Sequence, residues 1–464
     1  MAEEQLGTNQ KAQRINSDAK RYGTFAEIGA GQEVARCFFR AGGAAGTVAK
    51  TISAYDMSVS DAIYGPTERY VSRSRLRAML DYEYDLLLQR LEDKRGAKTA
   101  FFTFANTVAT RREGGDGWLG IRFQAEPGSD SSEILIHVRM LDKESVRQQE
   151  ALGTIGVNLI YGTFYLHREP ESLIRSLLDN LTWERVEVDM VRFSGPAFSK
   201  VDNRLMALQL VRGGLTEAAM FTAQGEAIQW TEALYNKPVL VQRGSFRPVT
   251  YVNLDMFQSA LVKFKQEPAV ANKPILALME LTMRNLLAGG KEVDRRDFLA
   301  RAEVLAACGM TVLISDYFEY YRLAAYLSWR TRERIGIVMG VPSVYELFDE
   351  KYYADLPGGI LENFGRLFKN DLKVYVYPLQ RSSSEELQTI HTVQVKPDLQ
   401  PLYGYLVGRG SFVQLDNYNP KYLPIFSRDV LKRIAEGDES WDQMVPPTVA
   451  EIIRRRGFFG YKKR

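Results

Sequence analysis

Histidine is scarce in this chain of 464 residues: His137, His167 and His391 are the whole supply, and they lie far apart. None belongs to H-E-x-x-H or H-x-x-x-H, which argues against a histidine-rich zinc site. Each lone histidine is expected to be a hydrogen-bonded structural residue. Cysteine is scarcer still. Cys37 and Cys308 alone give neither a disulfide framework nor a cysteine metal cluster, and they fit a reducing compartment. No apolar run approaches the roughly 20 residues that cross a bilayer. The first residues, Met1-Ala-Glu-Glu-Gln-Leu, show no basic stretch followed by an apolar one. A cytoplasmic protein with no membrane association is expected. The formal net charge of +3 is too small to make nucleic acid a main partner. A Gly-x-Ser-x-Gly elbow is missing, which weighs against an α/β-hydrolase, and no repeat recurs at a fixed period.

What is present is ordinary globular composition, 45% hydrophobic and 25% charged, in a chain long enough for more than one core. Four apolar runs of the second half each end in a polar, acidic or glycine residue and lead into a helix-like stretch. They are Val249-Thr-Tyr-Val-Asn-Leu-Asp255, Ile275-Leu-Ala-Leu-Met-Glu280, Met310-Thr-Val-Leu-Ile-Ser-Asp316 and Arg334-Ile-Gly-Ile-Val-Met-Gly340. Strands followed by helices read as βα units of a parallel sheet. Counting 185–193, 217–222, 249–255, 275–280, 310–315, 334–340 and 372–377 gives seven strands. Segment 156–165, a buried strand or part of a long helix, would be the eighth. An α/β fold follows, either a (β/α)8-like barrel or a doubly wound open sheet, with 116–124 and 133–140 as an added hairpin. The expected layout is a mobile 1–22, a helical N-terminal region over 23–115, an α/β core over 116–380 and a C-terminal extension over 381–464. That extension ends in a basic tail, an arm for docking on a neighbouring subunit or simply a solvated terminus.

Ligands of parallel sheets bind outside the carboxyl ends of the strands. Asp255, Glu280 and Asp316 would meet there, since spacings of 25 and 36 residues are those of one carboxylate per βα unit. Three carboxylates suit acid–base chemistry or a hard cation such as Mg²⁺, with Asn253 and Asp189 as further oxygen donors. The alternative is that each carboxylate caps the helix after its strand. The loop Arg243-Gly-Ser245-Phe-Arg247 offers two guanidiniums around a small turn, which suits a carboxylate or phosphate. Gly29-Ala-Gly31 opens a helix after a short strand, where backbone N–H groups hold a cofactor's anion. It lacks the third glycine of G-x-G-x-x-G, so helix punctuation is the competing reading. The small-residue segment 41–49 reads as an anion loop or as a close-packing face. The first reading is an enzyme acting on an anionic, even phosphorylated, small molecule. The second is a non-catalytic protein that assembles with itself or with a partner, and a homo-oligomer is expected.

Several segments, among them Phe25-Ala-Glu-Ile-Gly-Ala-Gly-Gln32, His137-Val-Arg-Met-Leu-Asp-Lys143, Arg243-Gly-Ser-Phe-Arg-Pro-Val-Thr250 and Ile314-Ser-Asp-Tyr-Phe-Glu-Tyr-Tyr-Arg322, resemble an uncharacterised family of bacterial proteins of about this length. Its members carry labels such as nicotinate- or nicotinamide-nucleotide adenylyltransferase. Adenylyltransferases of that superfamily hold ATP phosphates with an H-x-G-H loop. This chain contains none, so the resemblance brings no catalytic residues with it.

Overall fold

A computed structural model describes residues 6–462, apart from Glu113, Ala288, Gly289 and Ser383. The first five residues of the expected mobile N-terminus, and Lys463 and Arg464 of the basic tail, lie outside the described residues. The chain forms two compact units, 1–219 and 220–464.

The first unit runs α1 (Thr8–Asn16), β1 (Arg21–Ile28), α2 (Glu33–Ala41), β2 (Val48–Ile52), α3 (Met57–Tyr64), α4 (Arg73–Arg95), β3 (Ala100–Ala109), β4 (Gly115–Gln124), β5 (Ser131–Met140), α5 (Ser145–Tyr165), α6 (Pro170–Ser176), β6 (Val186–Ser194) and α7 (Asn203–Arg212). Its six strands are ordered β2-β1-β3-β4-β5-β6. The first three are parallel and the rest pair antiparallel. The stretch expected to be helical therefore supplies half of a sheet as well. Residues 8–16, expected to be mobile, form a helix that buries Ala12 and Ile15 completely. Its Lys11 ammonium donates to Asn158 at 2.8 Å and Asp179 at 2.6 Å. Segment 156–165 belongs to α5, which is buried nearly all round. A helix with no polar face loses the period that separates it from a buried strand. A β-carbon on Gly156 would stand 2.3 Å from a Val34 methyl, so glycine lets α5 approach α2. In the small-residue segment only Ala44 and Thr47 are buried, and Gly42, Gly43, Ala45 and Gly46 face solvent.

The second unit's sheet uses β7 (Ala218–Phe221), β8 (Ala227–Ile228), β9 (Val239–Arg243), β10 (Leu276–Thr282), β11 (Thr311–Ser315), β12 (Ile335–Gly340), β13 (Lys373–Tyr377) and β14 (Phe412–Gln414). Its helices are α8 (Trp230–Leu234), α9 (Tyr251–Lys265), α10 (Met283–Leu287), α11 (Arg295–Ala307), α12 (Tyr320–Arg330), α13 (Val341–Leu347), α14 (Gly359–Leu367), α15 (Gln400–Gly408), α16 (Ser427–Glu436) and α17 (Pro447–Arg456). The order β14-β13-β12-β9-β10-β11-β7-β8 is that of an open sheet, not a barrel. Strands β9 to β14 are all parallel. The chain moves outward from β9 to β10 and β11, then returns to place β12 on the other side of β9. This is the doubly wound order 3-2-1-4-5-6, with its switch point between β9 and β12. The run 249–255 is not a strand. Thr250 and Asn253 form a capping box that starts α9, and the neighbouring strand is β9 at 239–243. Gly336 of β12 lets α9 lie close, since a β-carbon there would come within 3.2 Å of Leu240, Tyr375 and Phe264.

Candidate functional site

The carboxyl ends of β9, β10, β11 and β12 open onto a cavity of about 350 Å³, a size in the range of small-molecule sites. Beneath it lies a buried ion pair. Glu280, on β10, is fully enclosed, and its two oxygens accept from Arg243 Nε at 2.8 Å and Nη2 at 3.0 Å. Ser315 donates to the same carboxylate at 2.6 Å. Two further N–H groups of Arg243 reach the carbonyls of Tyr317 and Phe318, and its guanidinium stacks 4.2 Å from the Tyr320 ring centre. Burial is the largest single influence and opposes the charge, but Glu280, Tyr320 and Glu319 together outweigh it and hold the Arg243 pKa above the ordinary arginine value. Arg243 is thus spent on tying β9 to β10 and to the loop after β11. It shapes the cavity and has little left to offer a ligand.

The other expected residues separate. Asp255 lies on α9 instead of at a strand end, and its Oδ2 accepts from the Tyr377 hydroxyl at 2.6 Å and from the Asn419 amide at 2.9 Å. Asp316 is exposed after β11. Among the described residues no group of three or more His, Cys, Asp or Glu side chains is placed to hold a metal ion, so the three carboxylates do not assemble as a Mg²⁺ site. The misread strand accounts for Asp255, which α9 turns toward Tyr377 at the carboxyl end of β13 and toward Asn419. Arg247 also parts from Arg243. It pairs with Asp297 at 2.6 Å and lines a separate cavity with α11 and residues 456–460. Ser245 is exposed, and its carbonyl accepts from Arg301. The Asn253 amide oxygen accepts from the Thr250 N–H at 3.0 Å and from the Thr250 hydroxyl at 2.9 Å.

Gly29 and Gly31 do occupy a βα turn, between β1 and α2. Gly29 has φ +101°, and a β-carbon there would sit 1.8 Å from the Val108 carbonyl oxygen. The helix start is already occupied, however. The buried Glu27 carboxylate accepts from Val34 N at 3.2 Å, Ala35 N at 2.9 Å and Asn106 Nδ2 at 2.8 Å. Burial pushes the Glu27 pKa up to about 7 against the pull of these donors. A cofactor's anion would compete with this carboxylate.

Two features go beyond the sequence reading, which expected His137 only as a hydrogen-bonded structural residue and Asp189 as an oxygen donor for the strand-end carboxylates, whereas Asp189 is held by His137. On the first unit's antiparallel strands, His137 is clamped by Asp189 at Nδ1 (2.6 Å) and Asp116 at Nε2 (2.7 Å). A bulge makes this possible: His137 pairs with Met190 and Val138 with Val188, so Asp189 is an extra residue turned toward the ring. Burial lowers the imidazole pKa, but the two carboxylates overcome it and raise the value to about 9. With both nitrogens engaged, the ring is a charged cross-link with no lone pair for catalysis or metal binding. The second feature is a pair of guanidiniums on the 350 Å³ cavity, Arg284 of α10 and Arg428 of α16. Both are exposed, and neither is ion-paired among the described residues. Arg284 stacks 4.1 Å from the Phe318 ring centre, which fixes its direction. Glu346 and Glu319 also line the cavity, and Glu319 is offset by Arg322 at 3.9 Å. Arg284 and Arg428 sit outside the strand runs that organised the sequence reading, and nothing local marks them.

No family model and no curated protein matches the chain. Among solved structures it is similar to the competence/damage-inducible protein CihA from Agrobacterium tumefaciens, with 15% identity, TM-score 0.24 and coverage of 33% of this chain and 94% of that one. It is also similar to a competence or damage-inducible protein from Enterobacter asburiae, with 10% identity, TM-score 0.25 and coverage of 34% and 96%. A CinA superfamily protein from Enterobacter cloacae gives 13%, 0.25, 34% and 90%. Scores of this size carry no argument about activity. The chain is a mixed α/β protein with two sheets, and none of its described helices is long and apolar enough to cross a membrane.

Proposed function

We propose that the second unit binds an anionic small molecule in the cavity at the carboxyl ends of β9, β10, β11 and β12. The observation that carries this is the coincidence of a doubly wound switch point with two unpaired guanidiniums, Arg284 and Arg428, on one cavity. An ion-paired arginine has its donors occupied, whereas an unpaired one aimed at a cleft gains a charge-assisted bond when an anion arrives. Arg243 and Glu280 are positioning residues in this reading, and Glu346 is the carboxylate available to accept from a ligand hydroxyl. The proposal is one of binding and assigns no reaction. Isothermal titration with phosphate-bearing small molecules tests the reading. Arg284→Ala and Arg428→Ala are each expected to weaken binding by about 1.5–3 kcal/mol. Arg247→Ala, on the other cavity, should leave it unchanged. Equal binding in all three variants sinks the site.

A further inference from the structure

A second cavity, of about 250 Å³, lies beside the first, and Arg243 and Ser343 line both. Its walls are largely apolar, with Val252 and Met256 of α9, Met339 of β12, Tyr377 of β13 and Leu423 among them. One polar group stands out. Gln242 of β9 is 1% exposed, lines this cavity, and its amide oxygen has no hydrogen-bond partner. Three other buried glutamines have their amide oxygens occupied: Gln124 accepts from Phe101 N, Gln148 from Arg111 N and Gln229 from Glu232 N. A buried amide left unsatisfied in apolar surroundings is costly, and such a group in a cavity marks the place where a ligand supplies the missing donor. Asn253, expected from the sequence to bind ligand, also lines the cavity, but Thr250 already holds its oxygen.

We propose that this cavity takes a flat nitrogen heterocycle bearing an amino group, whose N–H donates to Gln242, and that the same molecule's anionic arm reaches Arg284 and Arg428. The ligand class is an aminopurine nucleotide. The inference rests on the anion-binding reading above and adds the ring to it. A carboxamide pairs with the adenine edge through two hydrogen bonds, its oxygen accepting from the amino group and its nitrogen donating to a ring nitrogen. The Met256, Met339 and Tyr377 side chains supply apolar flanks for the ring. The polar cavity, with its guanidiniums, takes the phosphate.

Three probes separate the parts, titrated into the full-length chain: adenosine 5′-monophosphate, purine riboside 5′-monophosphate, which lacks the amino group, and ribose 5-phosphate. The expected result is that the adenosine compound binds roughly tenfold tighter than the purine riboside one, the discrimination of one good bidentate contact. Gln242→Leu should abolish that gap and leave ribose 5-phosphate affinity unchanged. The same variant should melt no lower than the parent, since it removes an unpaired buried amide. If it fails to fold, the two nucleotides compared on the parent protein still decide. Ribose 5-phosphate binding with no preference for the amino compound, or a preference that survives Gln242→Leu, overturns the ring assignment and leaves the anion site standing. Binding by none of the three overturns the anion site and the ring assignment with it.

Discussion

Each unit contains a parallel strand that ends in a glycine turn before a helix, and the two turns spend their polar groups in opposite ways. In the first, Glu27 stands two residues before Gly29; in the second, Gln242 stands two residues before Gly244. Only four residues separate β1 from α2, so Glu27 reaches the helix start and caps it. Seven residues separate β9 from α9, and that helix is capped by its own Thr250 and Asn253. Gln242 is left with an unmatched oxygen beside an open cavity. Loop length thus decides whether the polar residue before the glycine becomes a structural cap or remains available to a ligand. A sequence fingerprint built on glycines alone would rank the first turn above the second.

The comparison breaks most visibly at the ion pair that holds the second turn. Glu280→Ala leaves the Arg243 guanidinium buried without its partner, and an expected loss of about 3–5 kcal/mol follows, measurable by denaturant unfolding. A loss below about 1 kcal/mol would mean that solvent reaches Arg243, and that the cavity floor is not the one described. The glycines come next. Gly29→Ala combines positive φ with a backbone clash against Val108 and should cost about 3 kcal/mol. Gly244→Ala meets only the Phe246 ring, at 2.9–3.2 Å, without positive φ, and should cost about 1 kcal/mol. Equal losses at the two glycines would remove the asymmetry between the turns.

The parallel sheet of the second unit was legible because β10, β11, β12 and β13 are short apolar runs bounded by turns, the pattern of strands buried on both faces. The failure at 249–255 is instructive. Val249-Thr-Tyr-Val-Asn-Leu-Asp255 alternates like a strand, and the capping signal at Thr250 and Asn253 lay inside the same seven residues. Two local readings competed, and tertiary placement of β9 against β12 decided. With the helix went Asp255, and with Asp255 the shared metal site. Glu280 and Arg243 were found as residues but not as a pair, because their 37-residue separation becomes adjacency only through the β9–β10 register, in which Glu280 lies opposite Arg243. The clamp on His137 depends on a one-residue bulge that alternation does not reveal. Gln242 carried no signal at all, since an unmet hydrogen bond is a property of surroundings.

The finest distinction between the turns is electrical. Glu27 is a carboxyl whose folded pKa of about 7 exceeds the ordinary 4.5, mainly because it is buried. A raised pKa means that the folded state holds the proton more tightly than the unfolded chain. The corresponding stability is fully present below about pH 4.5 and is lost as pH rises through about 7. Glu27→Gln keeps an oxygen for the α2 amides and carries no charge, so it should flatten this limb. At pH 8 the variant should be more stable than the parent by about 3 kcal/mol, and at pH 4.5 the two should agree closely. His137, also raised, loses its contribution as pH climbs from 6.5 through about 9, so a slope above pH 7 should remain in both proteins. Denaturant unfolding at several pH values reads both limbs. A parent and variant whose curves stay parallel from pH 4.5 to 8 would show that Glu27 titrates as an ordinary carboxylate. The α2 start would then be a charged, solvent-reached cap, no more closed to an outside anion than the turn after β9.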